Sequence, residues 1–248
     1  MKGGKRPMRG FIEALQFLTI FRIRKNDRFE PGQMLAYFPL VGLTIGLMLA
    51  LVDMPACKLW PAPVCALVDL GFLVWVTGAL HVDGLGDTAD GLYGRRTREK
   101  ALEIMKDSRM GAMGVVAIFF GLSIKWAGIG SLETARFAVL VVVPAFGRCT
   151  QMIAMRLLPY GRPAGIGQAF YSEPIPIRAF WGLLLPTIIC LAMGPVGMLL
   201  LAAFIAITTA TILFYKRRMG CVTGDMLGAL TEVCECGLLL AAVAGGAL

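Results

Sequence analysis

The stretch VGMLLLAAFIAITTATILF fills residues 196–214 and contains no charged side chain. A helix needs about 20 predominantly apolar residues to cross the roughly 30 Å hydrocarbon core of a bilayer. This stretch meets that requirement, and the basic run Lys216-Arg217-Arg218 follows it almost at once. Because Lys and Arg accumulate at the cytoplasmic ends of membrane spans, the stretch predicts a transmembrane helix that ends in the cytoplasm.

Six further apolar segments have the same character, and the overall composition agrees with them. Hydrophobic residues make up 57% of the chain and charged residues 16%, whereas soluble domains have about 45–50% and about 25%. A soluble globule, a disordered chain and a secreted disulfide scaffold are therefore excluded. We expect an all-α, polytopic integral membrane protein in the lipid bilayer, with a single domain over residues 1–248. The predicted spans, about seven in number, lie near 33–52, 62–80, 112–130, 137–155, 179–194, 196–214 and 227–246.

The N-terminal segment from Phe11 to Phe21 is apolar but too short to cross a bilayer. Phe11, Leu15 and Leu18 recur at helical spacing, with Glu13 between them. This spacing predicts an amphipathic helix at the membrane interface. No small-residue cleavage site follows a short apolar core, so we expect no removable signal peptide.

The basic residues predict the orientation. When the loops alternate across seven spans, twenty of the 24 Lys and Arg residues fall on the same side. This asymmetry predicts a multi-pass protein of the cell inner membrane, with the N-terminus in the cytoplasm and the C-terminus outside. The net charge of +8 does not indicate nucleic acid as a partner, because no basic stretch carries interleaved aromatic residues that could stack on bases.

The cysteines give no sign of a disulfide framework. There are seven of them, an odd number, and they are scattered mostly in or beside apolar runs. We expect buried free thiols. The pair Cys234 and Cys236 is only a weak metal signal, because no second pair accompanies it.

Three carboxylates lie at the end of the second predicted span, in the run HVDGLGDTADG at residues 81–91. Asp83, Asp87 and Asp90 are spaced i, i+4 and i+7, so a helix would place them on one face. Like charges at a membrane edge repel each other unless a cation neutralises them, and hard oxygen ligands suit Mg²⁺. We interpret the three aspartates as catalytic residues and ligands of a Mg²⁺ cofactor at the cytoplasmic edge. The alternative is a solvated acidic helix start.

The same run contains several glycines and the chain's one histidine. Gly84, Gly86, Gly91 and Gly94 are expected to lower the side-chain wall, so that a bulky phosphorylated substrate can approach the backbone. His81 points away from the aspartate face on an ideal helix. It is a candidate acid–base group or partner of a metal ligand, with a structural hydrogen bond at a helix end as the alternative.

A second polar segment, Asp107-Ser108-Arg109, follows in the next loop. Its arginine could donate to phosphate oxygens. Because the segment lies between the aspartate run and the third span, it is a candidate second wall of the same site. Read alone, it would be a solvated loop.

Polar residues recur inside later spans. Gly224 and Asp225 begin the seventh span, Glu232 lies about 10 Å deeper on the same helix face, and Arg148 lies within the fourth span. An ionisable group at such depth indicates function. A structural ion pair between Glu232 and Arg148 is the alternative. Asp69, isolated in the second span, is expected to be protonated and hydrogen-bonded.

A basic cytoplasmic face, a magnesium-sized acidic cluster and nearby arginines indicate phosphate-bearing substrates, because phosphoryl transfer depends chiefly on positioning and charge neutralisation. Two other classes of protein remain as alternatives. A CDP-alcohol phosphotransferase also uses clustered membrane aspartates, but its closing pair of aspartates is not matched here. A metal or small-molecule transporter could line a path with intramembrane charges, but the two halves of the chain show no internal repeat.

The motifs together resemble one family. The run at residues 81–91 is similar to the signature of cobalamin synthase, the adenosylcobinamide-GDP ribazoletransferase of late vitamin B12 biosynthesis. Met113 departs from the family pattern, which often has His at that position, so a catalytic role for such a His is excluded here. The likeness continues in order along nearly the whole chain, through EIMKDSRMG at 103–111, Gly147-Arg148, Gly165-Ile-Gly167, GCVTGDMLGA at 220–229 and Glu232.

This resemblance implies a Mg²⁺-dependent membrane transferase. Such an enzyme joins adenosylcobinamide-GDP to α-ribazole or its 5′-phosphate, makes adenosylcobalamin or its 5′-phosphate, and releases GMP. A ribose hydroxyl would attack one phosphorus of the pyrophosphate, and one carboxylate would accept its proton. The identity of that carboxylate, the number of metal ions and the oligomeric state, a homo-oligomer included, are left open. The candidate site consists of His81, Asp83, Asp87 and Asp90 as catalytic residues and of Asp107, Ser108, Arg109, Arg148, Gly224, Asp225 and Glu232 as substrate-binding residues.

Overall fold

The computed structural model describes residues 7–23, 31–163, 166–172 and 174–246, and this part of the chain is built of helices. Three short 3₁₀ helices, at Leu35–Tyr37, Ile166–Tyr171 and Ile177–Leu183, lie among them. One isolated parallel bridge joins Tyr160 to Val222. The α-helices are α1 (Pro7–Leu18), α2 (Pro31–Met34), α3 (Phe38–Leu59), α4 (Ala62–Thr77), α5 (Leu80–Leu92), α6 (Arg98–Ile104), α7 (Ala112–Gly130), α8 (Arg136–Leu157), α9 (Leu184–Ala192), α10 (Pro195–Arg218) and α11 (Gly224–Gly246).

The prediction of an all-α polytopic membrane protein is confirmed. Within the described residues, five helical segments are long and apolar enough to cross a membrane: Pro31–Leu59, α7, α8, α10 and α11. The bent pair of α4 and α5 would make a sixth span. The fifth predicted span corresponds to Ile177–Ala192, an apolar helix that is shorter than the others. The predicted number of about seven is therefore approximate.

The second predicted span bends sharply instead of continuing straight. Helix α4 ends because Gly78 adopts a left-handed conformation with φ of +58°, which glycine reaches without steric cost. Ala79 follows with φ of +57°, and α5 then leaves at 88° to α4. A left-handed alanine costs about 1–2 kcal/mol. The bend therefore turns the aspartate run out of the line of the span.

The centre of the bundle is formed by α8, with α3 and α11 packed against it. Gly42 and Gly46 of α3 lie directly on the backbone of α8, at Ala145 and Val141. A side chain at either glycine would collide with that backbone. Small residues bring membrane helices this close, and the close contact fixes the position of α8 beneath the site.

The predicted N-terminal helix is present as α1, which begins earlier than expected, at Pro7, and ends at Leu18. Ala14, Leu15 and Leu18 are buried against the rest of the protein. Glu13 is also buried, and its carboxylate accepts a 2.8 Å hydrogen bond from Arg9. The helix thus has one face packed on the bundle.

The prediction of free thiols is wrong for one pair of cysteines. Cys57 near the end of α3 and Cys65 near the start of α4 form a disulfide, with their Cα atoms 5.2 Å apart. The tight turn at Trp60-Pro61 folds α4 back along α3, so residues eight positions apart face each other. The hydrophobic pattern does not reveal such a pairing. The remaining five cysteines are free and buried, as predicted.

Asp69 is not isolated, contrary to expectation. Arg136, at the start of α8, donates to Asp53 at 2.5 Å and to Asp69 at 3.4 Å. Arg136 lies 67 positions from Asp69, which explains why the partner could not be seen from the second span alone. The two carboxylates share one guanidinium at the end of the bundle opposite the loop that joins α5 to α7.

Candidate active site

Helix α5 carries the three predicted aspartates, and the stretch is helical from Leu80 to Leu92. Asp83 is exposed, whereas Asp87 and Asp90 are half-buried. The predicted common face is therefore present, because residues three, four and seven apart lie on one side of a helix. His81 and the glycines of the same helix face other elements.

The glycines of α5 serve helix packing, not substrate access. A Cβ atom at Gly84 would lie 2.7 Å from the backbone oxygen of Asp225, and one at Gly91 would lie 2.5 Å from Met105. Gly86 is similarly filled by Met110. The expectation that these glycines leave room for a substrate is therefore wrong for all three. Only at Gly94, among the four glycines named, would a Cβ atom meet open space. Their effect is to bring α5 into contact with α11, α6 and α7.

The side chain of Asp90 is hydrogen-bonded to the start of α7. Its two carboxylate oxygens accept hydrogen bonds from the backbone N–H groups of Gly111, at 2.6 Å, and Gly114, at 2.9 Å. A helix start offers unpaired N–H groups and a partial positive charge, and a carboxylate satisfies both. Asp90 therefore fixes α7 to α5, and this role distinguishes it from the other two aspartates.

Asp87 lies in a strongly negative environment. It interacts electrostatically with Asp83, Asp90 and Asp225, and with Arg162 as the compensating cation. Arg162 donates to the Asp225 carboxylate at 2.5 Å. Among the described residues, Asp87 thus lies beside three further carboxylates, with Arg162 as the cation that acts on it, so its surroundings have a negative charge that a cation would neutralise.

Arg162 and Asp225 are brought together by a short backbone pairing. The N–H of Gly161 donates to the carbonyl of Val222, and the N–H of Val222 donates to the carbonyl of Pro159, both at 2.9 Å. These bonds hold the loop after α8 against the residues that precede α11. Asp225 then follows in the first turn of α11, directly beside α5.

A cleft of about 550 Å³ opens next to this pair. The rings of Tyr160 and Tyr171 lie 5.3 Å apart, centre to centre, at 34° to each other. Burial raises the pKa of both tyrosines, so their hydroxyl groups stay protonated and can donate hydrogen bonds. The residues that line the cleft are Tyr160, Arg162, Gln168, Ala169, Tyr171 and Ser172.

His81 lies inside the protein, away from the aspartate face, as the ideal helix predicted. Its Nε2 atom lies 2.9 Å from Nε2 of Gln151, and its Nδ1 atom lies 3.4 Å from Arg148. Gln151 also donates to Thr231 at 2.8 Å. This arrangement agrees with the structural alternative, in which His81 anchors α5 to α8.

Arg148 and Glu232 belong to a buried network of four charges. Arg148 contacts Glu235, while Lys125 of α7 lies 2.7 Å from Glu232 and 2.5 Å from Glu235. The alternative of an ion pair between Arg148 and Glu232 is therefore replaced by two others, Arg148 with Glu235 and Lys125 with Glu232. Glu235, about one helix turn farther along, contacts both α7 and α8, whereas Glu232 contacts α7. Sequence reasoning missed Lys125 and Glu235, although a charge within an apolar run was a usable signal for both.

Asp107, Ser108 and Arg109 lie on the surface loop between α6 and α7. Arg109 binds Asp107 at 2.6 Å, and its hydrogen bonds lower the pKa of Asp107 to about 2. Ser108 and Arg109 are exposed. The loop leads directly to Gly111, which contacts Asp90, so the segment borders the aspartate face.

The aspartates do not form a closed metal cage. Within the part of the chain that the structure describes, one group of metal-ligating atoms lies within 4.8 Å of one another, and it consists of Asp53, Cys57 and Cys65. These ligands are already engaged, because Asp53 pairs with Arg136 and the two cysteines form the disulfide. The open aspartate face instead fits Mg²⁺, which usually takes only one or two carboxylates and completes its shell with water and substrate phosphates.

Comparisons with known proteins agree on one family. The model of the family described as cobalamin-5-phosphate synthase matches residues 10–243. An adenosylcobinamide-GDP ribazoletransferase of Geotalea daltonii is 35% identical to this chain, and the match covers 96% of this chain and 99% of the relative. Relatives with the same name from Pseudomonas putida and Alkaliphilus metalliredigens are 39% and 37% identical, over 95% and 97% of this chain and 98% and 97% of their own. No solved structure matches the chain.

Proposed function

This chain belongs to the cobalamin-5-phosphate synthase family, and on that premise we propose that it is an adenosylcobinamide-GDP ribazoletransferase. It joins adenosylcobinamide-GDP to α-ribazole or its 5′-phosphate and releases GMP. The observation that carries this proposal is the full-length similarity to relatives with that name. The comparisons do not favour a CDP-alcohol phosphotransferase or a transporter.

The reaction exchanges a phosphoanhydride bond for a phosphoester bond. The ribose hydroxyl of the ribazole forms a bond to the phosphorus nearer the cobinamide, the pyrophosphate bond to GMP breaks, and a base takes up the hydroxyl proton. A carboxylate on the aspartate face can act as that base. Asp87 is half-buried among like charges, and Asp83 is exposed.

We assign the magnesium ion to Asp83 and Asp87. Both carboxylates lie on the open face of α5, and Asp225 adds charge beside them. When bound, Mg²⁺ would neutralise the pyrophosphate and the charge that develops on the departing GMP. The carboxylate of Asp90 already accepts two backbone hydrogen bonds, so its main contribution is to hold α7 in place.

The site lies on the cytoplasmic side of the inner membrane in this proposal. The loop that joins α5 to α7 is rich in Lys and Arg, which supports a cytoplasmic position. Basic side chains around an acidic metal site would also raise the local concentration of anionic substrates. The substrates are then bound at the membrane surface, where α5 turns away from α4.

The experiment is a direct assay. Purified protein in detergent is incubated with adenosylcobinamide-GDP, Mg²⁺ and either α-ribazole or its 5′-phosphate, and both GMP and the joined product are quantified. We expect the two products in equal amounts. Release of GMP without joined product, or no reaction with either ribazole form, would contradict the proposal. Glu133→Gln is a matched control for later variants, because Glu133 lies exposed in the loop between α7 and α8.

A further inference from the structure

The cleft beside Arg162 has the size and lining of a binding site for a flat molecule. Its volume of about 550 Å³ falls within the range of about 300–1,000 Å³ that is typical of small-molecule sites. Two tyrosine rings form an aromatic wall, and Gln168 and Ser172 contribute polar side chains at the edge. Such a combination of an aromatic wall and a few polar groups suits a heteroaromatic ring.

The aromatic wall is held in place by its surroundings. A Cβ atom at Gly167 would lie 2.5 Å from the hydroxyl oxygen of Tyr160, so glycine alone allows the backbone to approach that ring. The backbone pairing of Pro159 and Gly161 with Val222 fixes Tyr160 from the other side. The wall therefore exists before a ligand binds, which lowers the entropic cost of binding.

Two polar atoms at the cleft have no partner among the described residues. These are the hydroxyl oxygen of Tyr171 and the Nε atom of Arg162, and both are buried. A buried polar atom without a hydrogen bond costs about 1–3 kcal/mol. Both atoms lie behind the surface of the cleft, so the polar groups open to a ligand are the terminal nitrogens of Arg162 and the side chains of Gln168 and Ser172.

We propose that this cleft binds the bicyclic heteroaromatic base of a nucleoside, with its ribose directed toward Asp225 and the aspartate face. The inference rests on the proposed function, which supplies two molecules of this chemistry. One is the guanosine part of adenosylcobinamide-GDP, and the other is α-ribazole. Arg162 joins the two regions, because it lines the cleft and binds Asp225 at 2.5 Å. A base in the cleft therefore places its sugar next to the reacting groups.

The test measures the binding of two nucleosides that carry no phosphate, guanosine and α-ribazole. Each is titrated separately into the full-length protein in detergent, and the heat of binding gives its dissociation constant. Tyr171→Leu removes one ring of the wall and should weaken binding about tenfold. Tyr160→Leu removes the other ring and should also weaken binding about tenfold. Phe119→Leu, on the exposed surface of α7, is the control and should change neither constant.

The outcomes show which molecule supplies the base, and they distinguish the cleft proposal from the proposed activity. Weaker binding of guanosine alone assigns the cleft to the GDP part, and weaker binding of α-ribazole alone assigns it to the acceptor. If Tyr160→Leu does not fold, Tyr171→Leu decides. Wild-type affinity for both nucleosides in the variants, or no binding to the wild type at millimolar concentrations, would overturn the inference. GMP release by the wild-type protein is measured in parallel, so that failure of the cleft proposal is distinguished from failure of the proposed activity.

Discussion

Asp90 accepts a 2.6 Å hydrogen bond from the backbone N–H of Gly111, and this bond joins the aspartate helix to the first turn of α7. The neighbouring N–H of Gly114 binds the other oxygen of the same carboxylate at 2.9 Å. Gly111 and Gly114 both lie so close to Asp90 that a Cβ atom at either position would collide with its carboxylate. The three aspartates of α5 are therefore not equivalent, and their substitutions should have different effects.

Asp90→Asn should destabilise the protein more than it changes the metal response. Asparagine keeps one acceptor oxygen but loses the charge that favours a helix start. Its amide N–H₂ group then faces a backbone N–H group of Gly111 or Gly114, and two donors cannot bond each other. The loss of such a cap costs about 1–2 kcal/mol. Thermal unfolding in detergent measures this loss, and the Mg²⁺ concentration at half-maximal rate should stay close to wild type. A raised Mg²⁺ requirement with unchanged stability would instead make Asp90 a metal ligand.

Asp87→Asn should abolish most turnover. The substitution keeps the size of the side chain and removes the charge at the centre of the acidic face. We expect a higher Mg²⁺ concentration at half-maximal rate, and a smaller gain in thermal stability on adding Mg²⁺ than in wild type, because a ligand stabilises only the state that binds it. Removal of like-charge repulsion could also raise the stability of the metal-free variant.

The control for this prediction is Glu133→Gln, which removes one exposed carboxylate far from α5. It should leave both the rate and the Mg²⁺ response unchanged. Should Asp83→Asn and Asp87→Asn both retain the wild-type rate and Mg²⁺ dependence, the magnesium assignment is wrong, and the aspartates are a solvated helix face.

The sequence predicted the fold well where apolar runs are long, and it predicted the common helix face of Asp83, Asp87 and Asp90 because these residues are close in sequence. Apolar length identifies α7, α8, α10 and α11 because the bilayer imposes it. The bend before α5 depends on Gly78 and Ala79 in a left-handed conformation, which hydrophobicity does not encode. Arg162 escaped notice as a site residue because it lies 63 positions from Asp225, and only the backbone pairing brings them together.

The orientation of the chain can be tested with introduced cysteines. A membrane-impermeant thiol reagent applied to intact cells should label a cysteine at Ser131, in the loop between α7 and α8, but not one at Thr97, before α6. Both positions are exposed, and the bias of Lys and Arg places them on opposite sides. The reverse labelling would contradict the cytoplasmic site.

The disulfide gives an independent check on the same orientation. Cys57 and Cys65 lie at the turn between α3 and α4, which the predicted topology places outside the cytoplasm, where disulfides persist. Protein denatured without reductant should therefore react with fewer thiol equivalents than reduced protein, the difference being the two thiols of this pair. Equal labelling with and without reductant would show that the pair is reduced in cells and would count against an outer location.

The buried network predicts an asymmetric response to single and double substitutions. Arg148→Met should lower the free energy of unfolding by about 3–5 kcal/mol, because it leaves Glu235 buried without its guanidinium. Arg148→Met combined with Glu235→Met should recover part of this loss, since Lys125 and Glu232 then remain as a neutral pair at 2.7 Å. Arg148→Met combined with Glu133→Gln is the matched double variant and should recover none. Chemical denaturation in detergent measures all three. If Arg148→Met instead keeps wild-type stability but loses activity, Arg148 acts mainly in substrate binding. That is the role that the sequence analysis predicts for it.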